Sequence, residues 1–168
     1  MLGEGMIVAD LGAGSGAYTF AAAYGVGRTG RVYAVDVQRD LVSRIANLAR
    51  TNGLHNIEVI WGDVERFCGT KFSDESLDAV VAGNLLFQVE DRPAVVAEVY
   101  RILRPGGKAL IVDWLASFDG AGPHPDHVFL YGVARRMCES EGLVCHETIQ
   151  AGEHHWGMIC RKRPAYST

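Results

Sequence analysis

Four carboxylates, Asp10, Asp36, Asp63 and Asp113, stand at or just past the ends of apolar runs, and Asn84 follows another such run. The first of them opens Asp10-Leu11-Gly12-Ala13-Gly14-Ser15-Gly16, where an apolar stretch ends in an acid and gives way to alternating glycines. That pattern is a buried strand turning sharply into a helix. Glycines tolerate positive φ and let a ligand approach the backbone, while the first amides of the following helix have no partner within it. The chemistry on offer is the cradling of a nucleotide. Gly12-x-Gly14-x-x-Ala17 also satisfies the relaxed dinucleotide fingerprint, so the loop alone leaves the nucleotide open between an NAD-type cofactor and S-adenosylmethionine.

Three further features bear on that choice. Asp36 ends the apolar run Arg31–Val35, twenty residues after Gly16, where an acid can accept both hydroxyls of a ribose. Gly62-Asp63 closes the run Ile57–Trp61. Leu103-Arg104-Pro105-Gly106-Gly107 reads as a helix end and turn leading into a strand from Lys108 to Trp114. In this order the four motifs are similar to those of class I S-adenosylmethionine-dependent methyltransferases. More narrowly, the chain from about Met6 to Arg163 resembles the small methyltransferase-domain proteins related to the quinone-biosynthesis methyltransferases.

The resemblance implies S-adenosylmethionine as cofactor and a role for each matching residue. Gly12, Gly14 and Gly16 would lie against its methionyl and ribose parts, with Asp10 near the ammonium. Asp36 would take the ribose hydroxyls, with Val37 and Gln38 beside the adenine. Asp63 would accept from the adenine amino group, and the Val64 amide would donate to the ring. Asn84 would sit near the transferred methyl. A histidine commonly occupies the place of His155 in the related small proteins, next to an aromatic-Gly pair like Trp156-Gly157.

Methyl transfer is an in-line displacement, so the protein's main task is alignment of nucleophile, methyl and sulfur. An acceptor that must lose a proton also wants a base. Asp113 and His155 are the catalytic candidates, with His124 and His127 as further histidines in reach of that role. No metal is expected, because His124-x-x-His127 lacks the helical H-E-x-x-H form and lies in a Pro-containing loop. Asn84-Leu85-Leu86-Phe87 starts like the Asn-Pro-Pro-aromatic signature of amino-group methyltransferases, but both prolines are absent and that specificity does not carry over.

The expected function is methyl transfer to an unidentified small-molecule acceptor. Two rivals stand beside it: a non-catalytic S-adenosylmethionine-binding domain, and a nucleotide-binding oxidoreductase. The oxidoreductase is disfavoured because no second domain holds a hydride acceptor.

Composition narrows the setting. At 168 residues the chain reads as one domain, residues 1–168, with 48% hydrophobic and 21% charged residues. A net charge of −4 argues against a general nucleic-acid surface. Arg161-Lys162-Arg163 reads as a solvated terminal run. No stretch approaches the about 18 apolar residues of a membrane span, and no secretory signal opens the chain. A cytoplasmic location follows, with Cys68, Cys138, Cys145 and Cys160 as reduced thiols and no disulfide framework.

The elements that position these residues alternate along the chain. Strands are expected at the apolar runs ending near Leu11, Asp36, Trp61, Ala82 and Trp114. Helices are expected from Ala17 to Tyr24, over a face of Leu41, Ile45 and Leu48, from Asp91 with Val95, Val96, Val99 and Ile102 inward, and after Asp126 with Leu130, Val133, Ala134, Met137 and Cys138 inward. Leu143–Gln150 and His155–Arg161 are too close in sequence for a parallel crossover and must form an antiparallel hairpin. The fold class is α/β: a doubly wound, mostly parallel seven-stranded Rossmann-like sheet, with five strand–helix units and a C-terminal antiparallel hairpin. Only five residues precede the first strand. Cover for the site is therefore expected from Leu115–Pro125 and His154–Trp156, or from a homodimer or other partner.

Overall fold

Strand β1 (Ile7–Leu11) takes the centre of the sheet because Val8, Ala9 and Leu11 are fully buried and both of its edges are paired. It runs parallel to β2 (Arg31–Asp36) on one flank and β4 (Leu77–Gly83) on the other, placing Asp10 opposite Ala34 and Val81. β3 (Ile57–Trp61) lies beyond β2, and β5 (Leu103–Trp114) beyond β4. β6 (Leu143–Gln150) and β7 (His155–Lys162) are antiparallel, with β7 inserted between β5 and β6. The order β3-β2-β1-β4-β5-β7-β6 is the expected doubly wound sheet closed by an antiparallel hairpin. The computed structural model describes residues 2–118 and 122–164.

Alternation along the central strands divides the core. Val8 packs with Ala22, Ala23 and Val26 of α1 (Ala17–Val26), and Ala34 packs with Ile45 of α2 (Arg39–Thr51). Ala9 and Leu11 share the other face with Val95 and Val99 of α3 (Arg92–Ile102) and Ala134 and Cys138 of α4 (Tyr131–Ser140). A parallel sheet buried on both faces needs the near-continuous apolar runs seen here. Asp91 caps α3 by accepting from the Ala94 amide at 3.0 Å, with Pro93 in the first turn. No helix among the described residues is long and apolar enough to cross a membrane.

Several local expectations are corrected. β5 starts at Leu103, which pairs with Leu77; the register then slips, Ala79 facing Lys108, and Gly106 at φ 81° absorbs the extra residues as a bulge. The Pro-Gly-Gly segment is thus an irregularity inside a strand rather than a turn before it. The connection from β3 to β4 contains turns only, which leaves four strand–helix units. In α2 the buried stripe is Val42, Ile45 and Ala49, and Leu48 is exposed. Asp126 lies in a short 3-10 turn (Pro125–His127) and caps nothing; α4 begins after Leu130, and both Leu130 and Val133 face solvent. Gly120, within the Leu115–Pro125 segment expected to cover the site, lies outside the described residues.

Two corrections concern charge and sulfur. Lys162 is buried, its Nζ donating to the Tyr100 carbonyl and pairing with Glu75, both at 3.0 Å. The stem of a lysine covers apolar surface when a carbonyl and a carboxylate receive its head. Cys145 and Cys160, expected as reduced thiols, are joined as a disulfide. They face each other in the β6–β7 register, a proximity that linear spacing conceals.

Candidate active site

The carboxyl ends of β1, β2, β4 and β5 share one edge, and the strand order reverses direction at β1 and β4, where ligands of open α/β sheets bind. Gly12 takes φ 67° and Gly16 φ 87°. A Cβ at Gly12 would lie 2.7 Å from Leu85 Cδ1, and one at Gly16 2.9 Å from Phe20 Cε2. Both positions demand glycine on steric and conformational grounds.

Asp36 ties this loop to its neighbour. One carboxylate oxygen accepts from the Gly14 amide and the other from the Gln38 amide, each at 2.9 Å. Only 6% of the residue is exposed. A cavity of about 150 Å³ opens beside it, lined by Gly12, Asp36, Val37, Gln38, Asp63 and Val64 among others. Trp61 supports its rim by donating Nε1–H to the Val37 carbonyl at 2.9 Å, with the Arg39 guanidinium 3.9 Å over its ring. Asp63 is already engaged by the Glu65 amide at 3.1 Å and by Arg66 Nε at 3.0 Å. If Asp63 also holds the adenine edge, as the resemblance implies, Asp63→Ala should reduce S-adenosylhomocysteine affinity by about tenfold, the worth of one hydrogen bond to a charged group. Calorimetry giving a larger loss than Asp36→Ala would mean the ribose and adenine ends are reversed.

At the other end of the edge, Asn84 sits at φ 53°, a conformation uncommon outside glycine. Its amide donates to the Val112 carbonyl at 2.8 Å, while its Oδ1 is buried without a partner. Buried polar groups without partners are rare and costly. His155 Nε2 is a second such atom, on a ring whose centroid lies 4.2 Å from the Trp114 ring. Burial, with His154 beside it, pushes the His155 pKa down and favours the neutral imidazole.

Asp113 behaves differently from an exposed base. It is fully buried, one oxygen accepting from the Phe87 amide at 3.0 Å and the other from the Trp114 amide at 2.8 Å. Burial still raises its carboxyl to about 6, since the backbone bonds offset only part of the desolvation. Its position makes it the anchor of the Asn84–Phe87 segment. Asp10 is likewise buried, accepting from the Thr19 hydroxyl at 2.6 Å and thereby bracing β1 against α1. Burial pushes its carboxyl to about 7.

Tyr18 escaped the reading of the sequence. Its ring covers Gly83, where any Cβ would run into it, and burial followed by the charges of Asp10 and Asp113 raises its phenol pKa. An aromatic placed two residues after the last loop glycine was the available signal. His124 and His127 are exposed and stack edge-on with centroids 6.3 Å apart; His124 Nδ1 lies 3.3 Å from Asp126.

Comparison with known proteins agrees with this geometry. The family described as Methyltransferase domain matches residues 2–161. The arsenite methyltransferase of Halobacterium salinarum is 31% identical over 127 residues, covering 76% of this chain and 31% of that protein. The demethylmenaquinone methyltransferase of Geobacillus stearothermophilus is 32% identical over 104 residues, covering 62% of this chain and 43% of that protein. The chain thus spans less than half the length of these two curated relatives. A crystal structure of a SAM dependent methyltransferase from Aquifex aeolicus superposes with a TM-score of 0.87 at 25% identity, covering 96% of this chain and 84% of that one. The chain belongs to the methyltransferase-domain family, the class I S-adenosylmethionine-dependent methyltransferases.

Proposed function

We propose that this protein transfers a methyl group from S-adenosylmethionine to a small-molecule acceptor. The observation that carries the reading is the cavity in which Gly12, Asp36, Val37, Gln38, Asp63 and Val64 come together. The sulfonium cofactor supplies an activated methyl group. The chain's own residues hold and align: Gly12, Gly14 and Gly16 admit the methionyl part, with Asp10 behind them. Asp36 receives the ribose hydroxyls, Val37 and Gln38 flank the adenine, and Asp63 with the Val64 amide fixes its edge. Asn84, whose buried side-chain oxygen has no partner, stands near the transferred methyl on this reading. Asp113 positions the Asn84–Phe87 segment, and His155, neutral and with a free buried nitrogen, takes the proton of an acceptor that must lose one.

The two relatives are named for arsenite and demethylmenaquinone, so both a trivalent arsenical and a quinol precursor belong in the acceptor panel. On this reading residues 1–168 act as one domain in the cytoplasm, and a second copy or another partner covers the edge near the exposed Leu115. The test is calorimetry with S-adenosylhomocysteine and NAD, followed by labelled methyl transfer to the panel and to cell extract. S-adenosylhomocysteine should bind and NAD should not; NAD binding alone would return the oxidoreductase reading. His155→Gln is expected to lower turnover by about a hundredfold while leaving S-adenosylhomocysteine affinity within twofold, as removal of a general base does. Unchanged turnover would take the base role from His155.

A further inference from the structure

The transfer edge leaves unused a group of three sulfurs on the α3–α4 side of the sheet. Cys145 on β6 and Cys160 on β7 form the disulfide, and Cys138 on α4 reaches the same point. All three Sγ atoms lie within 4.8 Å of one another, and the residues are 0%, 5% and 0% exposed for Cys138, Cys145 and Cys160. Cys160 pairs with Ala109 of β5, four residues before Asp113. At the ~3.3 Å rise of a strand residue this places the cluster about 13 Å below the transfer edge. It is a separate place in the molecule. The surroundings are apolar, with Ala134, Leu143 and Met158 in the same core, and the cluster contains no histidine or carboxylate.

We propose that, once the Cys145–Cys160 bond is reduced, Cys138, Cys145 and Cys160 form a buried three-sulfur site for a soft divalent cation of the zinc–cadmium class. Sulfur donors select soft ions. A metal–sulfur bond of about 2.3 Å sets three sulfurs around one ion about 4 Å apart; the three Sγ atoms already lie within 4.8 Å of one another, and the bonded Cys145 and Cys160 sulfurs must part on reduction to reach that spacing. Charge neutrality is met by a divalent ion. A net charge in an apolar core is costly. A divalent ion that displaces one proton each from two thiols, releasing both protons to solvent, leaves a neutral assembly with the third sulfur as an uncharged thiol donor. Zinc prefers a fourth ligand that this cluster does not supply, so cadmium should bind more tightly than zinc. The disulfide excludes the ion, and a phosphine with one water opens it, yielding two thiols and the phosphine oxide.

The test uses the full chain purified in a phosphine reductant, with thiol content verified by mass, and titrated with cadmium chloride under inert gas. The reduced protein should take up one cadmium per chain with a sulfur-to-cadmium charge-transfer band, and the oxidised protein none. Cys138→Ala should weaken cadmium binding by at least about tenfold, the double change Cys145→Ala with Cys160→Ala should abolish it, and Cys68→Ser should leave it unchanged. Circular dichroism and S-adenosylhomocysteine binding establish that each variant is folded. Cadmium should also protect Cys138, Cys145 and Cys160 of the unmodified reduced chain from alkylation, which reports on the site even where a variant misfolds. A reduced, folded chain without the band, alkylation unaffected by cadmium, or undiminished affinity in folded Cys138→Ala would overturn the site.

Discussion

Asp36→Ala should lower S-adenosylhomocysteine affinity by about a hundredfold or more, measured by calorimetry at neutral pH. On the proposed ribose-binding role, two charge-assisted hydrogen bonds to ribose hydroxyls would vanish together, each of the strong kind worth about 1.5–3 kcal/mol. The structure adds a second cause that compounds the first. The same carboxylate now holds the Gly14 and Gln38 amides at 2.9 Å, so its removal frees both loops that frame the cavity. Asp36→Asn keeps one acceptor oxygen and should fall between the wild type and Asp36→Ala. A folded Asp36→Ala protein with unchanged affinity would remove β2 from the cofactor site.

Asp10→Asn should stabilise the cofactor-free protein at neutral pH, on the order of 4 kcal/mol at most. Burial lifts the Asp10 carboxyl from 3.8 to about 7 in the folded protein. Between those values the folded chain keeps a proton that the unfolded chain has lost. Stability from this group is therefore full below about pH 4 and is lost as the pH rises toward 7. Asparagine preserves the acceptor for the Thr19 hydroxyl but does not titrate, so its advantage should vanish toward pH 4 and be complete by pH 8. Calorimetric melting of both proteins across that range checks it. Parallel curves would mean that Asp10 is solvated and does not titrate as its burial implies. The same variants separate two roles: if Asp10 also faces the cofactor's ammonium, Asp10→Asn loses affinity; if it only braces α1, affinity holds.

The strand ends and their acids were legible in the sequence because a sheet buried on both faces demands uninterrupted apolar runs, and each departure from that demand shows. Asp10, Asp36 and Asp63 announced themselves in this way, as did the hairpin, whose short linker permits no parallel crossover. The glycine loop was equally plain, since Gly12 and Gly16 occupy conformations and spaces closed to other residues. What the acids do was not legible. Residue type cannot distinguish an Asp113 whose oxygens are both held by backbone amides from one open to a substrate; that depends on where the Asn84–Phe87 segment folds back. Tyr18 against Gly83, Lys162 beneath Tyr100, and three cysteines converging from α4, β6 and β7 are likewise contacts between distant segments. Local periodicity records which face of an element is buried, whereas only the packing of elements decides which side chains meet there.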